Sequence, residues 1–406
     1  MHIQQLSLTN FRLYARLEVD LPAGALILVG ANAQGKTALL EALYFLATGQ
    51  SHHAASERQL INFLALHEPQ PFARVVAEAR TTRERLRVEL RVIADAGGEG
   101  RLRKDVLING AKKRVSDLAG RITAVMFLPQ DMAIVEGSPG ERRRYLDLAL
   151  SQVDSLYQHN LSEYGKVLSQ RNALLKQIQE SGVAPDLFEF WDGKLCELAG
   201  ALQAARTHAV AELEALASPI HRELTAGREG LRLAYHPSFD PAAAVAPDGQ
   251  LGLPLATPAH PIGVSAAEIE NLLRERLKSV RGDEIARGQT LYGPHRDELR
   301  FVANGLDVGV YGSRGQVRTA VLALKLAETE WMRARTGEWP ILLLDEVLSE
   351  LDGQRRSDLL RRLSAADQFV ITTTDLTPFP SEFLARAAVW RVQTGTLTPQ
   401  CGPPGH

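Results

Sequence analysis

The sequence is poor in cysteine: among 406 residues only Cys196 and Cys401 occur, far apart and in no recurring pattern. This excludes a cysteine-based zinc site built by this chain and is typical of a protein in the reducing cytoplasm. Long apolar runs are also missing, because no stretch reaches the about eighteen residues that a transmembrane helix needs. Residues 1–11 lack the basic-then-apolar pattern of a secretion signal. We therefore expect a cytoplasmic protein that starts with a strand and has no membrane partner.

An excess of one charge sign is absent as well. The formal net charge is −2, so the chain as a whole lacks the basic character of many nucleic-acid-binding proteins. Any DNA-binding surface must then be a local patch. Apolar residues at 45% and charged residues at 23% are ordinary for a globular protein, and the length suffices for two or three domains.

Residues 30–37, G-A-N-A-Q-G-K-T, match the phosphate-binding loop pattern completely. The apolar run 25–29 predicts a buried strand before the loop, and apolar residues at helical spacing follow it. Glycines let backbone N–H groups turn toward phosphate oxygens, Lys36 places a charge on the β- and γ-phosphates, and Thr37 offers a hydroxyl to Mg²⁺. The alternative is a chance Gly-Lys-Thr turn. The predicted nucleotide-binding residues are Gly30, Ala31, Asn32, Ala33, Gln34, Gly35, Lys36 and Thr37.

Residues 341–346, I-L-L-L-D-E, predict a buried strand with two carboxylates at its carboxyl end. An α/β sheet presents its ligands at this edge. Asp345 is predicted to hold Mg²⁺ opposite Thr37, and Glu346 to act as the general base that polarises the attacking water. The alternative is an apolar strand that merely ends in acidic residues. The phosphate loop favours the catalytic interpretation.

The order of the remaining motifs resembles that of ABC-type ATPases. Gln130 follows the predicted strand 123–128, residues 313–316 (S-R-G-Q) precede a predicted helix, and Asp352 follows the acidic strand end. In that superfamily a glutamine senses Mg²⁺ and the attacking water, and the signature loop of one subunit contacts the γ-phosphate bound by the other. The alternative for 313–316 is a polar turn with a helix cap. The resemblance assigns Gln130 to catalysis and the metal, Ser313, Gly315 and Gln316 to the signature, and Asp352 to the D-loop.

Longer motifs make the resemblance more specific. They resemble those of the RecF family of bacterial recombination and repair ATPases, which are similar to the heads of SMC-type proteins without the long coiled coil. Gly-Pro-His-Arg-Asp at 293–297 is the most family-specific motif, and 237–263 is the weakest part of the match. The matching stretches are 8–12 (LTNFR), 30–37, 127–131 (FLPQD), 137–139 (GSP), 142–147 (RRRYLD), 292–297 (YGPHRD), 315–328, 345–352 (DEVLSELD) and 372–375 (TTTD).

Two departures concern the wider ABC pattern. Arg314 stands where transporter-type proteins usually carry a glycine, and Thr374-Asp375 stand where those proteins place a histidine switch. RecF-like proteins share the second departure, so Thr374 or Asp375 is the candidate for that role.

The expected fold is α/β: an ABC-type ATPase head with a P-loop mixed sheet, plus a helical lid domain that carries a short antiparallel helix pair. Helical periodicity predicts one long helix from 139 to about 178 and another over 186–224, joined by a Gly/Pro turn at 182–185. The expected domains are the ATPase halves 1–137 and 289–406 and the lid 138–288.

Three local signals complete the outline. Asn109-Gly110 predicts a hairpin turn. Ser265 with Glu268 predicts a capping box at the start of a helix. Residues 237–263 are rich in proline, alanine and glycine and predict an extended loop or insertion.

The resemblance implies a function in DNA replication, recombination, repair and the SOS response. ATP would be sandwiched between two subunits, its binding would drive formation of a homodimer that clamps DNA at single-strand gaps, and slow, weak, DNA-dependent hydrolysis to ADP and phosphate would release it. The expected ligands are ATP and Mg²⁺, with Thr37, Asp345 and Gln130 at the metal. The expected partners are single-stranded, duplex and gap-junction DNA, RecR and RecO, and indirectly RecA.

Two basic clusters are candidate DNA contacts, for which the alternative in each case is a solvated face. If they bind phosphate, affinity should fall steeply with salt. The clusters are Lys112, Lys113 and Arg114, and Arg142, Arg143 and Arg144.

Other functions compete with this one. A transporter ATPase subunit is disfavoured by the missing histidine switch, the inserted lid and the lack of a membrane-partner feature. Another SMC-like or nuclease-coupled ABC-type ATPase acting on DNA is the closer alternative, but a nuclease needs an added acidic metal-binding domain, which we do not expect in the short stretch after Asp375. Glu346 argues against a purely structural clamp that cannot hydrolyse ATP.

Overall fold

The computed structural model describes residues 1–54, 56–94, 102–181, 186–239 and 263–400. The turn expected at 182–185, most of the loop expected at 237–263, and Cys401 lie outside these residues. The chain divides into two compact units, one made of Met1–Asp131 with Glu328–His406 and the other of Met132–Ala327. The domain boundaries expected from the sequence stay a prediction. No helix within the described ranges is long and apolar enough to cross a membrane.

The helices and strands follow each other along the chain with short connections. The first half contains β1 (His2–Phe11), β2 (Tyr14–Asp20), β3 (Gly24–Val29), α1 (Lys36–Thr48), β4 (Phe72–Arg80), β5 (Arg85–Ala94), β6 (Leu102–Ile108), β7 (Ala111–Lys113), β8 (Ala124–Phe127), α2 (Ala133–Glu136), α3 (Pro139–Val153), α4 (Ser155–Ser181) and α5 (Asp186–Leu224). The second half contains β9 (Leu231–His236), α6 (Ala266–Arg287), β10 (Glu298–Ala303), β11 (Leu306–Asp307), α7 (Val308–Tyr311), α8 (Arg314–Thr336), β12 (Ile341–Asp345), α9 (Gly353–Leu363), β13 (Gln368–Thr373), α10 (Ser381–Leu384), β14 (Ala388–Gln393) and β15 (Thr396–Pro399).

The first unit contains a mostly parallel sheet with the strand order β15-β14-β3-β13-β12-β8. β3 pairs in parallel with β13 on one side and β14 on the other, while β15 adds an antiparallel edge. Every residue of β12 is buried, as expected for a central strand of a parallel sheet covered on both faces. The carboxyl ends of β3, β12 and β13 therefore meet at one edge, which positions the site described below.

A second, antiparallel sheet of the same unit has the order β2-β1-β4-β5-β6-β7. Helix α1 contacts strands of both sheets, and its Leu39 and Phe45 share one hydrophobic core with Leu6 of β1 and Leu343 of β12. The predicted Asn109-Gly110 turn joins β6 to β7, and both residues have positive φ, 51° and 80°. This is the backbone that a two-residue hairpin requires.

The second unit is mainly helical, with α4 and α5 as its longest elements. Arg171 of α4 bonds to Asp192 of α5, and Tyr157 of α4 bonds to Arg206 of α5, so the two helices run antiparallel as predicted. Helix α6 packs on α5 so closely at Gly200 that a Cβ there would lie 2.4 Å from the carbonyl oxygen of Ala266.

The single long helix predicted from residue 139 is wrong, because the chain forms two helices, α3 and α4, separated at Asp154. The carboxylate of Asp154 accepts hydrogen bonds from the N–H groups of Leu156 and Tyr157. It thus satisfies donors at the start of α4 that have no partner within the helix. The predicted capping box of Ser265 with Glu268 is confirmed at the start of α6.

The Gly-Pro-His-Arg-Asp segment lies within the second unit and is bound by buried polar groups. Asp297 is fully buried and accepts hydrogen bonds from Arg206, Tyr235 and the backbone of Ser238. His295 pairs with the hydroxyl of Tyr164, and burial lowers the pKa of His295 to about 4. The segment fastens α4 and α5 to the three-stranded antiparallel sheet β11-β10-β9.

Candidate nucleotide-binding site

The loop between β3 and α1 is shaped by backbone conformations that few residues adopt. Gly35, which precedes α1, has φ 111°, and Ala33 has φ 63°. A Cβ on Gly30 would lie 2.3 Å from the carbonyl oxygen of Val392, so only glycine fits there. The first turn of α1 follows directly, which directs its unpaired N–H groups and the positive end of its dipole into the loop.

Lys36 and Thr37 begin α1 and face the end of β12. The Lys36 ammonium donates to the carbonyl oxygens of Gly30 at 2.6 Å and Ala31 at 3.0 Å, and it lies 3.1 Å from the Glu346 carboxylate. The Thr37 hydroxyl donates to Asp345 at 2.9 Å. Four predicted site residues, Lys36, Thr37, Asp345 and Glu346, are thus brought together although more than half the chain separates the two pairs.

Thr372, at the carboxyl end of β13, links the two acidic residues. Its hydroxyl donates to Asp345 at 2.6 Å and accepts a hydrogen bond from the backbone N–H of Glu346 at 3.0 Å. Glu346 has φ 54°, a left-handed conformation that is costly for a residue with a side chain. The side chain of Glu346 is 36% exposed, whereas Asp345 is buried. Sequence reasoning did not select Thr372, because a threonine in a buried strand carries no distinguishing pattern.

Gln130 lies in the short helical turn after β8 and lines the same cleft. Its amide nitrogen is 3.3 Å from Nδ1 of His53. The neighbouring Asp131 is buried, accepts from the N–H of Leu128 and lies 3.5 Å from His52. These contacts fix the turn that presents Gln130 at the cleft.

The cleft has a volume of about 1010 Å³, and all of its lining residues belong to the first unit. One wall is apolar: Leu13, Phe63 and Leu64 line it and are 42%, 72% and 75% exposed. Exposed large apolar side chains grouped along a cleft are typical of a ligand site. The sequence suggested only a short helix there, because an exposed apolar side chain looks like a core residue in a single sequence.

Arg12 and Tyr14 hold the loop and the apolar wall in place. Arg12 makes a two-pronged ion pair with the buried Glu41 of α1 at 2.6 and 2.7 Å, and it also donates to the carbonyl oxygen of Gln59. The Tyr14 hydroxyl donates to the carbonyl oxygen of Gly35 at 3.0 Å. Burial raises the pKa of Tyr14 well above its ordinary value, so the phenol stays protonated and keeps this bond.

The loop is also tied to the turn between β14 and β15. The side-chain oxygen of Gln34 accepts from the N–H of Thr394 at 2.6 Å, and its backbone carbonyl accepts from the N–H of Gly395 at 3.1 Å. Gln34 therefore has a structural role in the loop.

The signature residues belong to the second unit, where they form the start of α8. The Ser313 hydroxyl accepts from the N–H of Gln316 at 3.3 Å, and the Gln316 side chain accepts from the N–H of Ser313 at 2.9 Å. Gln316 also donates to Glu229 at 2.9 Å, and Gly315 lies in the first turn. This is a reciprocal helix cap, the alternative weighed for this stretch. A role in nucleotide binding stays a prediction.

Asp352 precedes α9 and caps it in the same manner. Its carboxylate accepts from the N–H of Arg355 at 3.0 Å and pairs with the Arg355 guanidinium. These contacts, the backbone hydrogen bond foremost, hold the pKa of Asp352 below its ordinary value. The D-loop assignment of Asp352 stays a prediction.

The two basic clusters differ in how they are held. Lys112 pairs with Asp105 at 2.8 Å but is 72% exposed, and Lys113 and Arg114 are exposed. In the other cluster, Arg142 makes a two-pronged ion pair with Glu298 at 2.6 and 2.9 Å. Arg143 donates to the carbonyl oxygen of Asp297, and Arg144 is exposed. The guanidinium groups of Arg142 and Arg143 are thus already bonded within the second unit.

Comparison with known proteins gives a consistent result. The RecF/RecN/SMC N-terminal domain family matches residues 2–385. A protein of Roseiflexus castenholzii named DNA replication and repair protein RecF is 42% identical over 98% of this chain and 100% of its own length. A Bacillus subtilis protein of the same name is 37% identical over 98% and 100%.

Solved structures agree with the sequence matches. A structure described as the recombination mediator protein RecF with ATP in the RecFOR pathway has 30% sequence identity and a TM-score of 0.82, covering 98% of both chains. An SMC head bound to the C-winged helix domain of ScpA, 17% identical with a TM-score of 0.50 over 98% of this chain and 97% of that one, shares the fold only. The expected ABC-type ATPase fold is confirmed. The chain belongs to the RecF family, within the wider group of RecF, RecN and SMC N-terminal domains.

Proposed function

We propose that this protein is a DNA repair ATPase that uses ATP as a switch, with ATP binding in the cleft promoting a homodimer on DNA and hydrolysis ending that state. One observation carries the proposal. The phosphate-binding loop and the acidic end of β12 meet in direct contact, through Thr37 with Asp345 and Lys36 with Glu346. A loop suited to a polyphosphate and a carboxylate suited to activating water are thus within reach of the same atoms.

The chemistry follows from the positions of these groups. The Lys36 ammonium and the N–H groups of the loop bind the β- and γ-phosphates, and the exposed Glu346 carboxylate takes a proton from the water that attacks the γ-phosphoryl group. Gln130, at the cleft, orients that water. Because Thr372 holds the backbone of Glu346, the carboxylate does not need to be positioned anew at each turnover.

Mg²⁺ fits the donor set. Thr37 and Asp345 present a hydroxyl and a carboxylate side by side, with Gln130 at the same cleft, and these are the oxygen donors that Mg²⁺ prefers. No group of three or more His, Cys, Asp or Glu side chains with metal-ligand geometry occurs in the described part of the chain. One carboxylate with substrate phosphates is the usual arrangement for this ion, which when bound neutralises charge on the β- and γ-oxygens.

The apolar wall is suited to the nucleotide base. Phe63 offers an exposed ring, and Leu13 and Leu64 extend the apolar surface beside it. A base stacked on this wall would be shielded from water on one face while its edge stays exposed. Such binding favours purines by area and gives little discrimination by hydrogen bonding.

The switch requires a second copy of the chain. In our proposal Ser313, Gly315 and Gln316 of one copy contact the γ-phosphate bound by the other, with Asp352 nearby. The start of α8, a helix of 23 residues, provides a dipole suited to an anion. A reciprocal cap holds Ser313 and Gln316 in a fixed geometry before any dimer forms.

The partners follow from the relatives. A structural relative is described as a recombination mediator in the RecFOR pathway. We therefore propose cooperation with RecR and RecO, an indirect effect on RecA, and a cytoplasmic location. Hydrolysis would be weak and stimulated by DNA. Of the basic residues, Lys112, Lys113, Arg114 and Arg144 are proposed to contact DNA, while Arg142 and Arg143 hold the segment after residue 293 through Glu298 and Asp297.

Replacing Glu346 by glutamine tests the switch. The Glu346→Gln variant should bind ATP, hydrolyse it at least about 100-fold more slowly because the general base is lost, and accumulate as a dimer. Sedimentation with and without Mg²⁺-ATP and gapped duplex DNA, alongside a phosphate-release assay, measures both effects. Glu382→Gln, an exposed change of the same charge in α10, is the control. A Glu346→Gln variant that stays monomeric with saturating ATP would falsify the proposal.

A further inference from the structure

The outward face of the antiparallel sheet is strongly charged. Along β4 and β5 the side chains alternate: Ala77 and Val88 point into the core, while Glu78 and Arg87 on the other face are exposed. Basic side chains outnumber carboxylates on this outward face. The basic members on β4, β5, β6 and β7 are Arg74, Arg80, Arg85, Arg87, Arg91, Arg103 and Lys112.

Each buried carboxylate on this face is shared by two cations. Glu89 bonds to Arg74 at 2.7 Å and to Arg91 at 2.6 Å. The pKa of Glu89 is lowered, chiefly by its hydrogen bond to Arg74. In the same way Asp105 pairs with Lys112 at 2.8 Å and with Arg103 at 3.3 Å. Each such group therefore carries one positive charge beyond what its carboxylate neutralises.

At the end of the β4–β5 hairpin, two arginines face each other with no carboxylate between them. Arg80 and Arg85 are directly opposite in the register, both are exposed, and neither forms an ion pair with any residue in the described ranges. On the other side of Arg80 the register places His2. Like charges directly opposite on neighbouring strands destabilise a sheet, by about 0.2–1 kcal/mol per pair. An anion bound on this face would relieve that repulsion.

The chemistry of that anion follows from the layout. The charge surplus is spread over four strands and lies on an open face, which does not suit a small anion that needs convergent donors. Six strands about 4.8 Å apart make a surface about 24 Å wide, enough to meet phosphates on both sides of a minor groove about 6 Å wide. We propose that the outward face of this sheet binds the sugar-phosphate backbone of double-stranded DNA, with Arg80 and Arg85 as its strongest contacts. This inference rests on the proposed function, which places the protein on DNA.

Reversing one charge of the opposed pair separates binding from folding. In Arg85→Glu the new carboxylate lies opposite Arg80, so a cross-strand ion pair replaces a repulsion and the fold is kept or stabilised. Binding to duplex DNA should weaken at least about 10-fold, and the slope of log affinity against log salt should fall by about one. Arg386→Glu is the matched control, because Arg386 is an exposed arginine of the same unit that lies outside this sheet.

The assay is fluorescence anisotropy of the full chain with Mg²⁺-ATP and a duplex of about 30 bp, over about 50–200 mM salt, with single-stranded DNA in parallel. Weaker duplex binding by Arg85→Glu, with an unchanged unfolding midpoint and unchanged binding by Arg386→Glu, supports the proposal. Equal duplex binding by wild type and Arg85→Glu overturns the surface and leaves the proposed function standing. A loss confined to single-stranded DNA overturns the choice of duplex. A wild type that binds no DNA overturns both this surface and the proposed function.

Discussion

Thr372 links the two acidic residues of the site, and removing its hydroxyl tests that arrangement. Thr372→Val keeps the shape of the buried side chain but deletes the donor to Asp345 and the acceptor for the N–H of Glu346. A hydrogen bond to a charged group contributes about 1.5–3 kcal/mol, and a buried N–H left unpaired costs about 1–3 kcal/mol. We expect the free energy of unfolding to fall by about 3 kcal/mol, and Glu346, no longer held in its left-handed conformation, to lose its alignment with the attacking water.

The expected kinetic effect is a fall in kcat of about 10–100-fold with a nearly unchanged dissociation constant for ATP, because a displacement of about 1 Å can cost that much. Urea unfolding followed by circular dichroism gives the stability, and phosphate release gives kcat. Thr373→Val is the matched control, since the hydroxyl of Thr373 bonds only to the carbonyl oxygen of Asp375 among the described residues. If Thr372→Val hydrolyses ATP at the wild-type rate and unfolds like the control, Thr372 does not position Glu346.

Two further predictions concern the apolar wall and the Gly-Pro-His-Arg-Asp segment. Phe63→Ala should raise the dissociation constant of ATP about 5–30-fold by calorimetry, the loss of about 1–2 kcal/mol of base stacking, whereas Leu156→Ala, an equally exposed apolar site in the other unit, should leave it unchanged; equal values for both would refute a base on this wall. For His295, the folded pKa of about 4 lies below the ordinary 6.5, so the stability from the neutral ring is present above pH 6.5 and is lost as the pH falls toward 4. Wild type should lose about 2 kcal/mol more than His295→Gln between pH 7 and pH 5 in urea unfolding, and parallel losses would show that the ring is not kept neutral.

The phosphate-binding loop could be found in the sequence because its chemistry is local. Eight consecutive residues must turn the backbone and start a helix, so the requirement is written in a single stretch. The acidic end of β12 was found for a similar reason, as a buried strand with polar residues at its carboxyl end. The direct contact between the two could be expected only from the family resemblance, since sequence spacing carries no information on it.

The run of three arginines shows why local pattern fails elsewhere. Successive residues of a helix point about 100° apart, so Arg142, Arg143 and Arg144 in α3 cannot form one patch. Two of them bond to Glu298 and to the backbone of Asp297, partners more than 150 residues away in the chain. The break at Asp154 was missed because the apolar stripe continues across it, while only the capping carboxylate marks the new helix start.

β14 and β15 were missed for a different reason. Both are short, β14 is only partly buried, and their role is to extend a sheet whose other strands come from distant parts of the chain. The alternating burial of Trp390 and Val392 and the positive φ of Thr394 and Gly395 are typical hairpin features, but a short alternation near the end of a long sequence is a weak signal.

The position of β3 between β13 and β14 has a consequence for synthesis of the protein. Both neighbours of β3 come from the last part of the chain, from Gln368 onward, and Gln34 of the loop is fastened to Thr394 and Gly395. At about 5–20 residues per second, a ribosome needs about 20–70 s to pass from Val29 to Gln368. Throughout that time both edges of an apolar strand are without their final partners and the phosphate-binding loop lacks its support. The nascent chain therefore cannot bind ATP in its final manner until synthesis is nearly complete, and slow, non-local strand pairing is built into its folding.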